Sequence, residues 1–131
     1  MSYLPPFDKV KVMVTVGSDR GKLTVSATYD GFLAMVRAML AVIDVDEAWY
    51  LEQYPDVVTG IANGKVSSAR DHFVHNGYFE GRLPFPMAVD ERWYLTENPE
   101  VAEYIRAGRL TSGQQHFDQD GYREGRLPFL L

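Results

Sequence analysis

Two pairs of neighbouring aromatic residues are the first side chains in this sequence whose type and spacing suggest chemistry. Trp49 precedes Tyr50, and 44 positions later Trp93 precedes Tyr94. Exposed aromatic rings stack on sugars or anchor a partner protein, because a rigid ring buries a large apolar area at one contact. Rings of this size also fill the core of a small fold. The sequence leaves both interpretations open, and it makes the four residues candidates for binding a glycan or a partner.

Two arginines in glycine-flanked loops are the next candidates. Arg82 and Arg126 each follow the dipeptide Glu-Gly. A guanidinium in such a loop often ties it to a helix through a bidentate ion pair, and Asp46 and Asp90 are the predicted partners. An exposed arginine would instead contact a partner or a glycan, so both residues are retained as candidates for that role.

Two histidines at equivalent positions raise the question of a metal site. His72 and His116 each precede a phenylalanine. No second His, Asp or Glu recurs at a ligand spacing in both places, and protein metal sites need several such ligands. We therefore predict buried histidines that are hydrogen-bonded to the backbone, and no bound metal.

The sequence contains no residue pattern typical of an enzyme. Ser-His-Asp spacing, a nucleophile elbow and a glycine-rich nucleotide fingerprint are all absent. The segment GSDRGK at 17–22 lacks the spacing of a phosphate-binding loop, and the chain has no cysteine. We predict a protein that is not an enzyme and binds no cofactor.

Charge and hydropathy disfavour two further classes of partner. The net charge is −5, and no cluster of Lys and Arg is present to release counterions from a nucleic acid. The longest apolar run, Phe32 to Ile43, contains Arg37 and is too short to cross a bilayer. The N-terminus has no apolar stretch behind a basic start, which predicts a cytoplasmic protein.

A tandem duplication must position all these candidates. Residues 45–85 (copy one) and 89–129 (copy two) align without a gap, and 21 of their 41 positions are identical. A period of 44 residues is typical of repeats in which each copy is one small helical unit. We expect residues 45–129 to pack as one unit.

Residues 1–44 have a different pattern. Segments 10–16 and 22–29 are rich in β-branched residues and flank GSDRG at 17–21, which predicts a β-hairpin with one buried face. Residues 31–43 predict an almost entirely apolar helix, capped by Asp30 and buried in the domain or in a dimer. Because an isolated hairpin is marginal in water, residues 1–44 are a candidate dimerisation element.

Each copy contains the start and stop signals of three short helices and a closing loop. In copy one these signals are Asp46, Pro55, Gly64, Ser67 and Gly77, and in copy two Asp90, Pro99, Gly108, Thr111 and Gly121. The two glycines of each closing loop, GYFEGR or GYREGR, predict two unusual backbone conformations. The predicted fold class is α+β, with a hairpin and an apolar helix followed by two mainly helical repeats.

The motif shared by the two copies resembles a known repeat. The pattern D-E-x-W-Y-L-x-x-[YN]-P-[DE]-V, then H-F, then G-Y-x-E-G-R-L-P-F, covers residues 45–129. It is similar to a short tandem repeat of bacterial proteins that carry glycosyltransferase or other surface-polysaccharide modules, and of some large secreted repeat proteins. The resemblance implies a non-catalytic accessory unit associated with surface-glycan assembly.

Two hypotheses of function follow. The leading one is a protein-interaction or scaffolding module, a homo-oligomer, that docks on a glycosyltransferase or polysaccharide synthase. The alternative is a small carbohydrate-binding protein that uses the two Trp-Tyr pairs as stacking sites.

Overall fold

The computed structural model describes residues 3–131, and the first two residues of the predicted 1–44 element lie outside this range. The predicted α+β class is confirmed: the described residues form eight α-helices and one antiparallel two-stranded hairpin early in the chain. The chain divides into two compact units, of which the first ends at Phe85 and the second runs from Pro86 to Leu131. Residues 3–44 are therefore grouped with copy one, whereas copy two forms the second unit.

The bounds of the elements follow the duplicated sequence. The first unit contains α1 Phe7–Lys11, β1 Thr15–Asp19, β2 Lys22–Ser26, α2 Tyr29–Leu40, α3 Glu47–Gln53, α4 Pro55–Ala62 and α5 Ala69–His72. The second contains α6 Glu91–Glu97, α7 Pro99–Arg106 and α8 Gly113–His116. A π-helical turn continues α5 at Phe73–Gly77 and α8 at Phe117–Gly121. No helix in the described part of the chain has the length and apolar content needed to cross a bilayer.

The hairpin is shorter than predicted, and neither of its faces is buried. Arg20 and Gly21 have φ of 50° and 78°, as the two central residues of a type I′ turn require. Residues 10–14 are not a strand, since Val10 and Lys11 belong to α1. Every residue of β1 and β2 is exposed. The prediction of a buried hairpin face is therefore wrong for the chain by itself.

Helix α2 begins two residues earlier than the sequence suggested and is less buried. The side chain of Thr28 accepts a hydrogen bond from Gly31 N, so Thr28 rather than Asp30 is the N-cap. Leu40 is the one buried residue of the helix, and it belongs to the core of copy one together with Val74. Copy two has Asp118 at the position equivalent to Val74, and this residue is exposed. This difference explains why only copy one has an apolar site for α2.

The predicted start and stop signals of the repeats are largely confirmed. The Asp46 and Asp90 carboxylates accept hydrogen bonds from Trp49 N and Trp93 N, as N-caps do. The third helices are capped one residue later than predicted, by Ser68 instead of Ser67 and by Ser112 instead of Thr111. Each copy also closes on itself: Asp46 N donates to Pro84 O, and Asp90 N to Pro128 O, both at 3.0 Å.

Each copy has a small core built on equivalent residues. In copy one Tyr50, Val57 and Phe73 are at most 1% exposed. Their equivalents in copy two, Tyr94, Val101 and Phe117, are fully buried. Because each unit is small, these large side chains supply much of its buried apolar area.

Candidate functional site

The centre of each copy is a hydrogen bond between a buried tyrosine and a buried histidine. Tyr50 Oη lies 2.8 Å from His72 Nδ1, and Tyr94 Oη lies 2.8 Å from His116 Nδ1. The sequence correctly predicted buried histidines, but it named the backbone as their partner. The true partner is a side chain 22 residues earlier on the first helix of the same copy.

We assign the proton in this contact to the tyrosine. Burial raises the pKa of Tyr50 and of Tyr94, so both hydroxyls keep their protons. Neither hydroxyl has another hydrogen-bond partner among the described residues. We assign it as the donor to Nδ1, because the opposite direction would leave a buried O–H without an acceptor. An imidazole that accepts at Nδ1 carries its own proton on Nε2. Each histidine thus has an N–H donor on the side of the ring that faces away from the tyrosine.

A glycine in the π-helical turn leaves room for the tyrosine hydroxyl. A Cβ on Gly77 would lie less than 3.0 Å from Tyr50 Oη, a distance that real Cβ atoms essentially never show. A Cβ on Gly121 would lie less than 3.0 Å from Tyr94 Oη. The prediction of an unusual backbone conformation at Gly77 and Gly121 is wrong. Positive φ occurs instead at the second glycine of each closing loop, and it is 78° at both Gly81 and Gly125. Gly77 and Gly121 are glycines because the tyrosine hydroxyl leaves no space for a side chain at these positions.

Arg82 forms the predicted bidentate ion pair, but with a different carboxylate. Its Nη1 and Nη2 donate to the two oxygens of Asp56, at 2.9 and 2.8 Å, and its Nε lies 2.7 Å from Glu80 Oε2. The guanidinium also lies 4.9 Å from the centre of the Tyr54 ring. Asp46, the predicted partner, is the N-cap of α3 instead. The hydrogen bonds from Arg82 lower the pKa of Asp56.

Arg126 holds the equivalent loop of copy two in place. It pairs with Glu100 and with Glu124, and its Nη1 also donates to Asn98 Oδ1 at 2.6 Å. The hydrogen bond from Arg126 lowers the pKa of Glu100. The predicted partner Asp90 is the N-cap of α6. Both arginines are thus tied to the first turn of the second helix of their copy.

The aromatic candidates fall into two classes. Tyr50 and Tyr94 have no exposed surface, so neither ring can act as a stacking platform. Trp49 and Trp93 are partly buried and pack against the cores of their copies. Beside Trp93 is a shallow groove of about 370 Å³, lined also by Asp90, Arg92 and Thr96. The tryptophans therefore remain candidates through the part of the ring that is exposed.

A second concave surface of copy two was not anticipated from the sequence. It is a polar cleft of about 480 Å³ (the His116 cleft). Its lining residues are Glu100, Tyr104, Arg109, Leu110, His116, Asp120, Glu124 and Arg126. One signal in the sequence points toward it: tyrosine, histidine and glycine recur in both copies at the same spacing, at Tyr50, His72 and Gly77 and again 44 residues later. The rest of the lining differs between the copies, and sequence comparison of the two could not have singled it out.

The described residues contain no group of three or more His, Asp or Glu side chains placed to hold a metal ion. No protein-family model matches the chain, and no curated protein or solved structure matches it either.

Proposed function

We propose that this chain is a non-catalytic protein-interaction module that associates through its N-terminal hairpin. The observation that carries the proposal is that every residue of β1 and β2 is exposed in a chain whose repeats have their own buried cores. A two-stranded hairpin with no packed face is marginal in water. An element of this kind gains its stability from a surface that covers it.

One face of the hairpin is suited to such a contact. Val16 pairs with Val25, and Ser18 pairs with Leu23, so these side chains project from the same face. On this face Leu23 is 82% exposed, Val25 66% and Val16 53%. The opposite face carries polar residues and Gly17. We call the first surface the apolar hairpin face; contiguous exposed apolar surface of this kind is typical of interaction sites.

The open edges of the hairpin favour a second copy of the chain as the partner that covers it. Both strands have an unpaired edge, because the sheet has only two strands, and an open edge is a template for pairing with another strand. The apolar hairpin face carries no charged side chain, so it is compatible with itself across a two-fold axis. The module would then be a homodimer.

The fate of the repeated polar residues supports a role without catalysis. His72 and His116 accept from buried tyrosines, and Arg82 and Arg126 are ion-paired within their own copies. Residues that recur in both copies are thus used to hold each copy together. The resemblance of the repeat motif supports a partner in surface-polysaccharide assembly, of the glycosyltransferase or synthase class.

Light scattering coupled to gel filtration tests the proposal with two matched variants. Leu23→Lys places a charge on the apolar hairpin face, whereas Thr24→Lys places the same charge on the opposite face of the same strand. We expect the parent and Thr24→Lys to be dimers and Leu23→Lys to be a monomer with an unchanged far-ultraviolet spectrum.

Affinity capture from a lysate of the source organism tests the partner. The tagged parent and Thr24→Lys should retain a polysaccharide-assembly protein that Leu23→Lys does not retain. If all three proteins are monomeric and capture the same material, the hairpin is not an interaction element and the proposal fails.

Carbohydrate binding is the second candidate, and the groove beside Trp93 is the observation that favours it. An indole next to a carboxylate, a guanidinium and a hydroxyl offers a stacking surface with both acceptors and donors. Fluorescence of a Trp49→Phe variant, in which Trp93 is the one remaining tryptophan, should change on addition of a polysaccharide that binds there. An unchanged spectrum across a polysaccharide panel excludes the groove as the site.

A further inference from the structure

We propose that the His116 cleft binds a neutral polyhydroxylated molecule, a saccharide or a small polyol. This site is separate from the apolar hairpin face and from the groove beside Trp93. None of the aromatic candidates of the two repeats lines it.

The first argument is a buried donor that has no partner. His116 is 5% exposed and lines the cleft, while its Nδ1 is occupied by Tyr94 Oη. Its Nε2 makes no hydrogen bond to any described residue. Among the described residues, Arg37 Nε is the one polar side-chain atom that is both completely buried and without a hydrogen-bond partner. The unpartnered Nε2 of His116 is therefore not completely buried. The Nε2–H group is therefore open to the cleft, where an acceptor can reach it.

The second argument is the charge of the lining. Arg109 and Arg126 supply two positive charges, and three carboxylates supply three negative charges. Arg126 is already paired with Glu100 and Glu124, so an anion would have to compete with two carboxylates for it. The side chain of Asp120 makes no hydrogen bond within the described part of the chain, and it adds a further repulsion. An anionic ligand is disfavoured, which removes phosphate and carboxylate groups from consideration.

The third argument is the mixture of fixed donors and fixed acceptors. Nε2–H of His116 can only donate, whereas the Asp120 carboxylate can only accept. A hydroxyl group is the common neutral group that accepts and donates at once, so adjacent hydroxyls can satisfy both residues. Tyr104, which is 39% exposed and has Arg109 stacked 5.9 Å from its ring centre, gives one wall of the cleft an apolar surface. A volume of about 480 Å³ is within the range of small-molecule sites.

The matching positions of copy one lack part of this set. Gly60, Lys65 and Asn76 stand where copy two has Tyr104, Arg109 and Asp120. Copy one therefore has neither the aromatic wall nor the unpaired carboxylate. Because both copies share the Tyr-His-Gly centre but differ in these lining residues, His72 is an internal reference for His116.

Nuclear magnetic resonance of the full chain tests the proposal at the atoms concerned. Long-range proton–nitrogen spectra of the imidazoles should show His116 as the Nε2–H tautomer. Titration with maltotriose, cellotriose or chitotriose, and separately with glycerol or myo-inositol, should shift the His116 ring signals and leave those of His72 in place. A response to the sugars alone identifies a saccharide site, and a response to both sets identifies a polyol site.

Two variants of equal charge change show whether the shift comes from the cleft. Asp120→Asn removes the unpaired carboxylate, and Glu103→Gln removes a carboxylate that does not line the cleft. Binding should weaken about five- to tenfold in Asp120→Asn, because the amide oxygen still accepts a hydrogen bond but without the charge that strengthens it, and stay unchanged in Glu103→Gln.

Three results would overturn the proposal. One is the absence of any His116 shift at probe concentrations that saturate a millimolar complex. Another is an equal loss of binding in both variants. The third is a shift of the Trp93 indole signal without one at His116, which would place the ligand in the groove and leave the second candidate function intact.

Discussion

Replacing Gly121 with alanine should break the hydroxyl–imidazole contact at the centre of copy two. A Cβ on Gly121 would overlap Tyr94 Oη, whereas the next nearest atoms, His116 Nδ1 and Phe117 Cδ2, would lie at 3.4 and 3.5 Å. These two are ordinary van der Waals contacts. The hydroxyl is therefore the atom that must move, and it cannot move without leaving Nδ1.

The expected cost of Gly121→Ala is about 3 kcal/mol of unfolding free energy. A buried Nδ1 left without its donor costs about 1–3 kcal/mol, and forcing a fully buried ring aside adds about 1–3 kcal/mol. Alanine recovers about 1 kcal/mol through its higher helix propensity. The measurement is urea unfolding in a Trp49→Phe background, so that Trp93 fluorescence reports copy two alone.

A second substitution separates this mechanism from general damage. Tyr94→Phe alone should cost about 1–3 kcal/mol, because it also leaves Nδ1 unpaired. It removes the overlapping atom, so Gly121→Ala should then add less than about 0.5 kcal/mol. Gly108→Ala is the control: its φ is +75° and no atom lies within 4 Å of the added Cβ, so its cost should be independent of Tyr94→Phe. Additive costs for Gly121→Ala and Tyr94→Phe would refute the steric argument.

Three further predictions concern copy one and the hairpin. Arg82→Lys should lower the unfolding free energy by about 1–2 kcal/mol, because lysine cannot bond both oxygens of the largely exposed Asp56 carboxylate; urea unfolding that matches the parent would contradict this. Burial, followed by the charge of Arg82, lowers the pKa of His72 below its ordinary 6.5. The unfolded chain therefore takes up the proton first, so stability should be full above pH 6.5 and decline as the pH falls through the folded pKa, and His72→Gln should flatten that decline. Gly21→Val, at a φ of +78°, should abolish the cross-strand nuclear Overhauser effects of the hairpin and leave the melting temperature of the repeats unchanged.

Local signals in the sequence predicted most of the helix boundaries in the repeats. Aspartate before an aromatic segment, proline at a first helical turn and glycine after a last one act on neighbouring backbone atoms, so the sequence contains the whole interaction. The caps of the third helices were misplaced by one residue, because Ser67 and Ser68 are both competent. The choice between them depends on the rest of the fold: Glu47, from α3, accepts a hydrogen bond from Arg70 N in the first turn of α5.

The sequence could not predict the polar contacts of the site, since they join residues far apart in the chain. Asp46 was the predicted partner of Arg82, and the orientation of α4 brings Asp56 to it instead. The tyrosine–histidine pair spans 22 residues, and neither residue type demands the other. The reason for a glycine at position 77 was equally hidden. The Tyr50 hydroxyl, which comes from α3, occupies the space that a Cβ at this position would need.

The sequence by itself determined that this protein is a duplication of a small helical unit behind a hairpin and a helix. It did so because helix caps, turn residues and the periodicity of a repeat are short-range properties of the chain. Tertiary structure alone decided which aromatic residues are core, which carboxylates hold the arginines and that both faces of the hairpin are left uncovered. Those outcomes depend on how the helices of a copy pack, and packing sets the distances between side chains that the sequence leaves free.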